Sequence, residues 1–217
     1  MDVSFWQQRW QEGKTGFHLD EVNPLLVKYA EKMQLAPGQQ VFVPLCGKSK
    51  DLIWLAEQGY RVLGIELSKV AVEAFFEENN LNPFIVNKGS LTYFQAGLIT
   101  LICGDFFELS VEPMVNVAAV YDRASLIALP EEMRLAYYEH LNTICSSQPR
   151  LLVTLEYDQS ELAGPPFAVL ESELLGHYAS GFSLERLESK DVLAEHAHFA
   201  AKGLSSLHES VYILHSE

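Results

Sequence analysis

Glu66 closes an apolar run, Arg61-Val-Leu-Gly-Ile-Glu66, that follows an earlier one, Val41-Phe-Val-Pro-Leu-Cys-Gly-Lys-Ser-Lys-Asp51. Strand, turn, helix and a second strand ending on an acid make a nucleoside site. A carboxylate about 20 residues beyond the turn can accept from both ribose hydroxyls. The turn lacks a phosphate cradle. A dinucleotide fingerprint needs G-x-G-x-x-G, and only Gly47 is present. Gly47-Lys48-Ser49 matches the end of a phosphate loop, but that motif's first glycine would fall at Phe42, so Lys48 is not expected to hold phosphate. A cofactor with a ribose and no phosphate fits, and S-adenosylmethionine leads. Leu45 can offer its backbone carbonyl to a cationic amine. The competing readings are a plain strand-to-helix turn and, for Glu66, a solvated acid or a helix-cap neighbour.

Two further strand ends carry suitable groups. In Gly104-Asp-Phe106, Asp105 can accept from an adenine amino group while Phe106 stacks on the ring. The competing reading is a turn acid near a helix start beside a core aromatic. In Tyr121-Asp-Arg123, Arg123 can bind a carboxylate or an anionic substrate. Alternatively, Asp122 and Arg123 form a structural ion pair. His196-x-His198 lacks partners at metal-ligand spacing, and no metal is expected. No G-x-S-x-G is present for a serine nucleophile.

The elements that position these residues follow from periodicity. Ser4 is expected to cap a short helix carrying Phe5, Trp6 and Trp10, ended by Gly13-Lys-Thr-Gly16. Asn23-Pro24 starts another, since asparagine caps and proline suits the first turn. Strands are expected at 41–43, 61–65, 98–103, 115–121 and 151–156, with 92–94 pairing as a hairpin to 98–103, and late strands at 184–187 and 207–214. Helices are expected at 51–58, 68–78, 131–145 and 167–178. This alternation predicts an α/β, doubly wound, mostly parallel seven-stranded sheet with an antiparallel edge strand, Rossmann-like. Ligands in such sheets bind beyond the carboxyl ends of the strands. Residues 1–217 are read as one domain, with 1–35 as a helical cover.

The 217 residues are 48% apolar and 20% charged, the composition of an ordinary globular protein. A net charge of −14 argues against nucleic acid and anionic membranes as partners. No run is long and apolar enough to cross a bilayer, and the N-terminus lacks signal-peptide features. Cys46, Cys103 and Cys145 are expected to be free thiols of a cytoplasmic protein, read as a monomer.

Phe5-Trp-Gln-Gln-Arg-Trp10, Gly13-Lys-Thr-Gly-Phe-His18, Pro44-Leu-Cys-Gly-Lys-Ser-Lys-Asp-Leu52, Gly64-Ile-Glu-Leu-Ser68, Gly104-Asp-Phe-Phe107 and Tyr121-Asp-Arg-Ala124 resemble, in order, the bacterial form of the thiopurine S-methyltransferase family. The likeness covers about the first two-thirds of the chain. Tyr121 stands where the family often has tryptophan. The resemblance implies a class I methyltransferase fold and S-adenosylmethionine held by Trp10, Leu45, Glu66 and Arg123, with Asp105 and Phe106 along the adenine. It implies that Phe17 and His18 face a small-molecule thiol acceptor beneath a lid carrying Trp6, Trp10 and Phe17. His18 or Asp20 could take a proton. Thiopurines or related aromatic thiols, or selenium or tellurium compounds, would be methylated. A non-catalytic S-adenosylmethionine-binding protein and an NAD oxidoreductase are the alternatives.

Overall fold

A computed structural model describes residues 3–16 and 18–217. The helices are α1 Val3–Gln11, α2 Pro24–Tyr29, α3 Asp51–Glu57, α4 Lys69–Glu78, α5 Glu131–Ile144, α6 Glu171–Tyr178 and α7 Ala197–Ala200. The strands are β1 Gln40–Val43, β2 Arg61–Glu66, β3 Phe84–Lys88, β4 Leu91–Ala96, β5 Ile99–Cys103, β6 Val117–Arg123, β7 Arg150–Glu156, β8 Phe182–Asp191 and β9 His208–Ser216. The chain forms two compact units, Met1–Tyr121 and Asp122–Glu217.

The first unit is built on the strand order β3-β4-β5-β2-β1-β6. β1 pairs in parallel with β2 on one side and β6 on the other, and β2 pairs in parallel with β5. Sequence order therefore reverses beside β1, which puts the β1 carboxyl end at a topological switch point. Val41, Phe42, Val62 and Ile65 are buried. Their continuous apolar runs suit strands covered on both faces. Asn23 Oδ1 accepts from Leu25 N at 2.8 Å and starts α2, while Ser68 Oγ accepts from Ala71 N and starts α4. Both are the side-chain caps that polar residues at helix starts supply. α1 packs against α4.

The second unit holds β7, β9 and β8 as an antiparallel set. Arg150 is wholly buried there, its guanidinium 4.4 Å from the Phe182 ring centroid and 4.9 Å from that of Tyr178. It donates to Asn142 Oδ1 at 2.7 Å and to the Cys145 carbonyl. Arg134 joins α5 to α6 through Glu173, with bonds of 2.6 and 2.9 Å.

The α/β class and the antiparallel late strands stand as expected, but nine strands rather than seven occur among the described residues. β3 escaped the sequence reading because it is an edge strand with Phe84 and Ile85 both exposed, which leaves no alternating pattern. α1 begins at Val3, ahead of the expected cap Ser4. The helix expected from Phe167 starts only at Glu171. Phe167 N donates to Ile127 O and Val169 N to Leu155 O, so these backbone groups are committed elsewhere. β6 starts two residues later than expected, and β8 is longer at both ends.

Gly64 tests the packing of β2. A Cβ there would lie 2.7 Å from both Cys46 Sγ and Leu101 Cδ2. Gly64→Ala should lose about 1–3 kcal/mol of unfolding free energy by overpacking. Urea melts followed by circular dichroism will show this as a lower midpoint at unchanged slope.

Candidate functional site

The turn after β1 and the end of β2 are locked together by one side chain. Glu66 Oε2 accepts from Gly47 N at 3.0 Å, and Oε1 accepts from Ser68 N at 2.7 Å. The carboxylate is only 6% exposed. Burial pushes its pKa up from 4.5 to about 7, opposed by the backbone N–H groups of Ser68, Gly47 and Leu67. Each oxygen retains acceptor capacity, because a carboxylate offers about four lone-pair positions. A pair of neutral hydroxyl donors therefore fits the free capacity of this acid.

The turn itself is constrained. Leu45 has φ 45° and Gly47 φ 53°, both left-handed. A non-glycine residue in that region stores strain of the kind that collects at binding sites. Leu45 is thus held in a conformation set by the turn rather than by its own preference. Trp10 covers the same turn: a Cβ at Gly47 would sit 3.0 Å from Trp10 Cζ2. The indole is 9% exposed. Trp10, Leu45 and Glu66 therefore converge, as the sequence suggested. Cys46 is buried in the same turn, its sulfur against Gly64, with a thiol pKa raised by burial and then by the Glu66 charge, which suits packing rather than nucleophilic chemistry. Lys48 is ion-paired with Glu78 at 2.6 Å rather than directed to a phosphate site.

Asp105 and Phe106 follow β5, whose last residue Cys103 is in register with Glu66. Asp105 Oδ1 accepts from Phe107 N at 3.0 Å and caps a short 3-10 turn, leaving its other oxygen uncommitted by this bond. Phe106 is buried, with Phe107 edge-on to it at 5.4 Å. His18 is half-buried, and its pKa is lowered by burial and then by the Lys48 charge. Asp20 is exposed and is one of its electrostatic neighbours. Phe17 lies outside the described residues.

Arg123 ends β6 and belongs to the second unit, half-buried; burial raises the pKa of Glu209, and the Arg123 charge opposes that rise. Asp122 accepts from Tyr137 Oη at 2.6 Å. Burial raises its pKa to about 6, opposed by its hydrogen bonds to Tyr137 and Ser125 and by the Arg150 charge. The next residue, Ala124, has φ 66°, a second strained position, directly after Arg123. No sequence signal announced either Leu45 or Ala124 as left-handed. Among the described residues no group of three or more His, Cys, Asp and Glu side chains is placed to hold a metal ion.

Comparisons with known proteins agree on the family. The profile described as thiopurine S-methyltransferase matches residues 1–217. The thiopurine S-methyltransferase of Pseudomonas fluorescens (strain SBW25) is 49% identical, covering 99% of each chain. That of Nitrosospira multiformis is 47% identical over 99% of this chain and 98% of its own. A SAM-dependent methyltransferase from Anabaena variabilis has TM-score 0.68 at 13% identity, covering 99% of this chain and 95% of its own. A Burkholderia thailandensis 1,6-didemethyltoxoflavin-N1-methyltransferase, solved with bound 1,6-didemethyltoxoflavin and S-adenosylhomocysteine, has TM-score 0.66 at 14% identity, covering 99% of this chain and 87% of its own. At such identities these two show the fold.

Glu66 makes stability pH-dependent in a definite direction. Its folded pKa lies above its ordinary value, so its contribution is full below 4.5 and is lost as pH rises through about 7. Relative to Glu66→Gln, the wild type should lose about 2 kcal/mol of unfolding free energy between about pH 5.5 and 8. Urea melts of both proteins across that range measure it, and a flat difference would mean that Glu66 does not titrate near neutrality.

Proposed function

The chain belongs to the thiopurine S-methyltransferase family, and from that premise we propose that it methylates the sulfur of thiopurines or related heterocyclic thiols with S-adenosylmethionine. The observation that carries the cofactor assignment is the buried Glu66 carboxylate, fixed by two backbone amides beside a turn without a phosphate cradle. When bound, the cofactor supplies a methyl group on a sulfonium, already carrying a good leaving group.

The chain's own residues then have positional work. Glu66 accepts from the ribose hydroxyls. The Leu45 carbonyl receives the cationic amine, and Arg123 the carboxylate. Asp105 accepts from the adenine amino group, with Phe106 alongside the ring. Trp10, already against the turn, excludes water from that side and offers an aromatic face to a sulfonium. Alignment and dehydration supply most of the rate in such a reaction. His18 faces the acceptor, a side that the family resemblance also gives to Phe17. Burial and Lys48 keep His18 neutral near neutral pH, so its ring can take a thiol proton, with exposed Asp20 as the alternative acceptor.

A nicotinamide oxidoreductase would need glycines that the turn lacks. A non-catalytic binding protein would bind the cofactor and turn nothing over. The single domain with residues 1–35 as its cover belongs to the same reading, as does a monomer. A cytoplasmic location is supported by three free cysteines. No helix among the described residues is long and apolar enough to cross a membrane.

Radiolabelled methyl transfer to 6-mercaptopurine tests the assignment, with a small aromatic selenol as second acceptor. Wild type should give labelled product. Glu66→Ala should weaken cofactor binding at least about 100-fold by calorimetry, since a bidentate charged acceptor is lost. Tight cofactor binding without turnover on any acceptor would favour the non-catalytic reading.

A further inference from the structure

Asp51 is a buried acid that the roles above leave unused. It is 2% exposed and occupies the first position of α3. Its two oxygens go to different parts of the chain. Oδ1 accepts from the backbone N of Asn23 at 2.8 Å, and Oδ2 accepts from Tyr121 Oη at 2.9 Å. Asn23 is itself buried and caps α2 through its own side chain. Tyr121 is buried in β6, two residues before Arg123.

The carboxylate thus pins the point where the segment of residues 13–23 rejoins the fold, and it pins that point to the strand next to β1. That segment carries His18 and Asp20. Among its described residues, Gly13 N donates to Trp10 O, Lys14 N to Arg9 O and His18 N to Thr15 O, all bonds to residues earlier in the chain rather than to the sheet. Fixing its far end to a buried acceptor restricts the paths its side chains can take. Buried hydrogen bonds to a carboxyl group are costly to leave unmade, which favours one path over several.

We propose that Asp51 is a positioning residue for the acceptor side of the reaction, acting through Asn23 and the cover segment rather than on the cofactor. The proposal rests on the reading that His18 and its neighbours face the methyl acceptor. Asp51 itself touches no reacting atom. Neither its partner 28 residues away nor the one 70 residues away is close in sequence, so one side chain couples three separate elements.

Three variants separate this role from general support of the fold. Asp51→Ala removes both bonds. Asp51→Asn keeps an oxygen for the Asn23 N–H and offers Tyr121 an amide donor in place of an acceptor. Tyr121→Phe removes only the bond to β6. Three quantities are measured for each: the cofactor Kd by calorimetry, the KM for 6-mercaptopurine, and amide hydrogen exchange of residues 13–23 by mass spectrometry. Asp51→Ala should raise the acceptor KM about tenfold or more and speed exchange in 13–23, with cofactor Kd within about twofold. Tyr121→Phe should lie between Asp51→Ala and wild type, and Asp51→Asn should recover most of the loss. Should Asp51→Ala not fold, the order of Tyr121→Phe and Asp51→Asn in KM and exchange still decides. Equal movement of cofactor Kd and acceptor KM, or wild-type exchange in 13–23 for Asp51→Ala and Tyr121→Phe, would overturn the proposal. Exchange needs no turnover. An inactive wild type with the expected exchange pattern would therefore count against the acceptor assignment and not against the pinning by Asp51.

Discussion

One carboxylate, held in the core by backbone amides, organises the site. Glu66 receives N–H groups from the turn after β1 and from the start of α4, so the turn at the switch point is tied to the end of β2. Nothing about this is cheap for the fold. Burying an acid without a cation raises its pKa to about 7, and the N–H bonds only partly offset that. A fold optimised for stability alone would place an apolar residue or an amide here. The retained acid makes sense when a ligand with hydroxyl donors completes its coordination.

The surrounding geometry follows from keeping that acid in place. Gly47 must present its N–H to Glu66 while its α-carbon faces the Trp10 ring, which a side chain would obstruct. Gly64 allows Cys46 and Leu101 to close over β2 one turn of pleat before Glu66. The left-handed Leu45 turns its backbone out of the strand; in the second unit, Ala124 is left-handed directly after Arg123. Strain at these two non-glycine positions is tolerated because packed neighbours fix the chain on either side. Asp51 extends the same logic to the N-terminal segment: a second buried acid, again satisfied by neutral donors, ties a loop to the sheet.

Much of this was legible in the sequence because it is local. The β1 and β2 runs are continuously apolar, the acid follows at nucleoside spacing, and Asn23 and Ser68 announce the helices they cap. What escaped notice depends on distant partners. Asp51 reads as an ordinary first-turn acid of α3, and only the fold brings it to Asn23 and Tyr121. Residues 167–170 carry a helical pattern, yet their backbone groups bond to Ile127 and Leu155. β3 has exposed apolar residues on both faces and so presents no period. The dihedral angles of Leu45 and Ala124 have no sequence signature at all.

The central claim is that the Glu66 carboxylate is the acceptor for the cofactor's ribose. Calorimetric titration with S-adenosylmethionine at about pH 6.5, repeated in buffers of different ionisation enthalpy, reads this directly as protons exchanged on binding. Hydroxyl donors favour the ionised acid, so a group with pKa near 7 should release about three-quarters of a proton per cofactor bound at that pH, and Glu66→Gln should not show that release. Binding by the wild type with no proton release, or with the same release in Glu66→Gln, would contradict it.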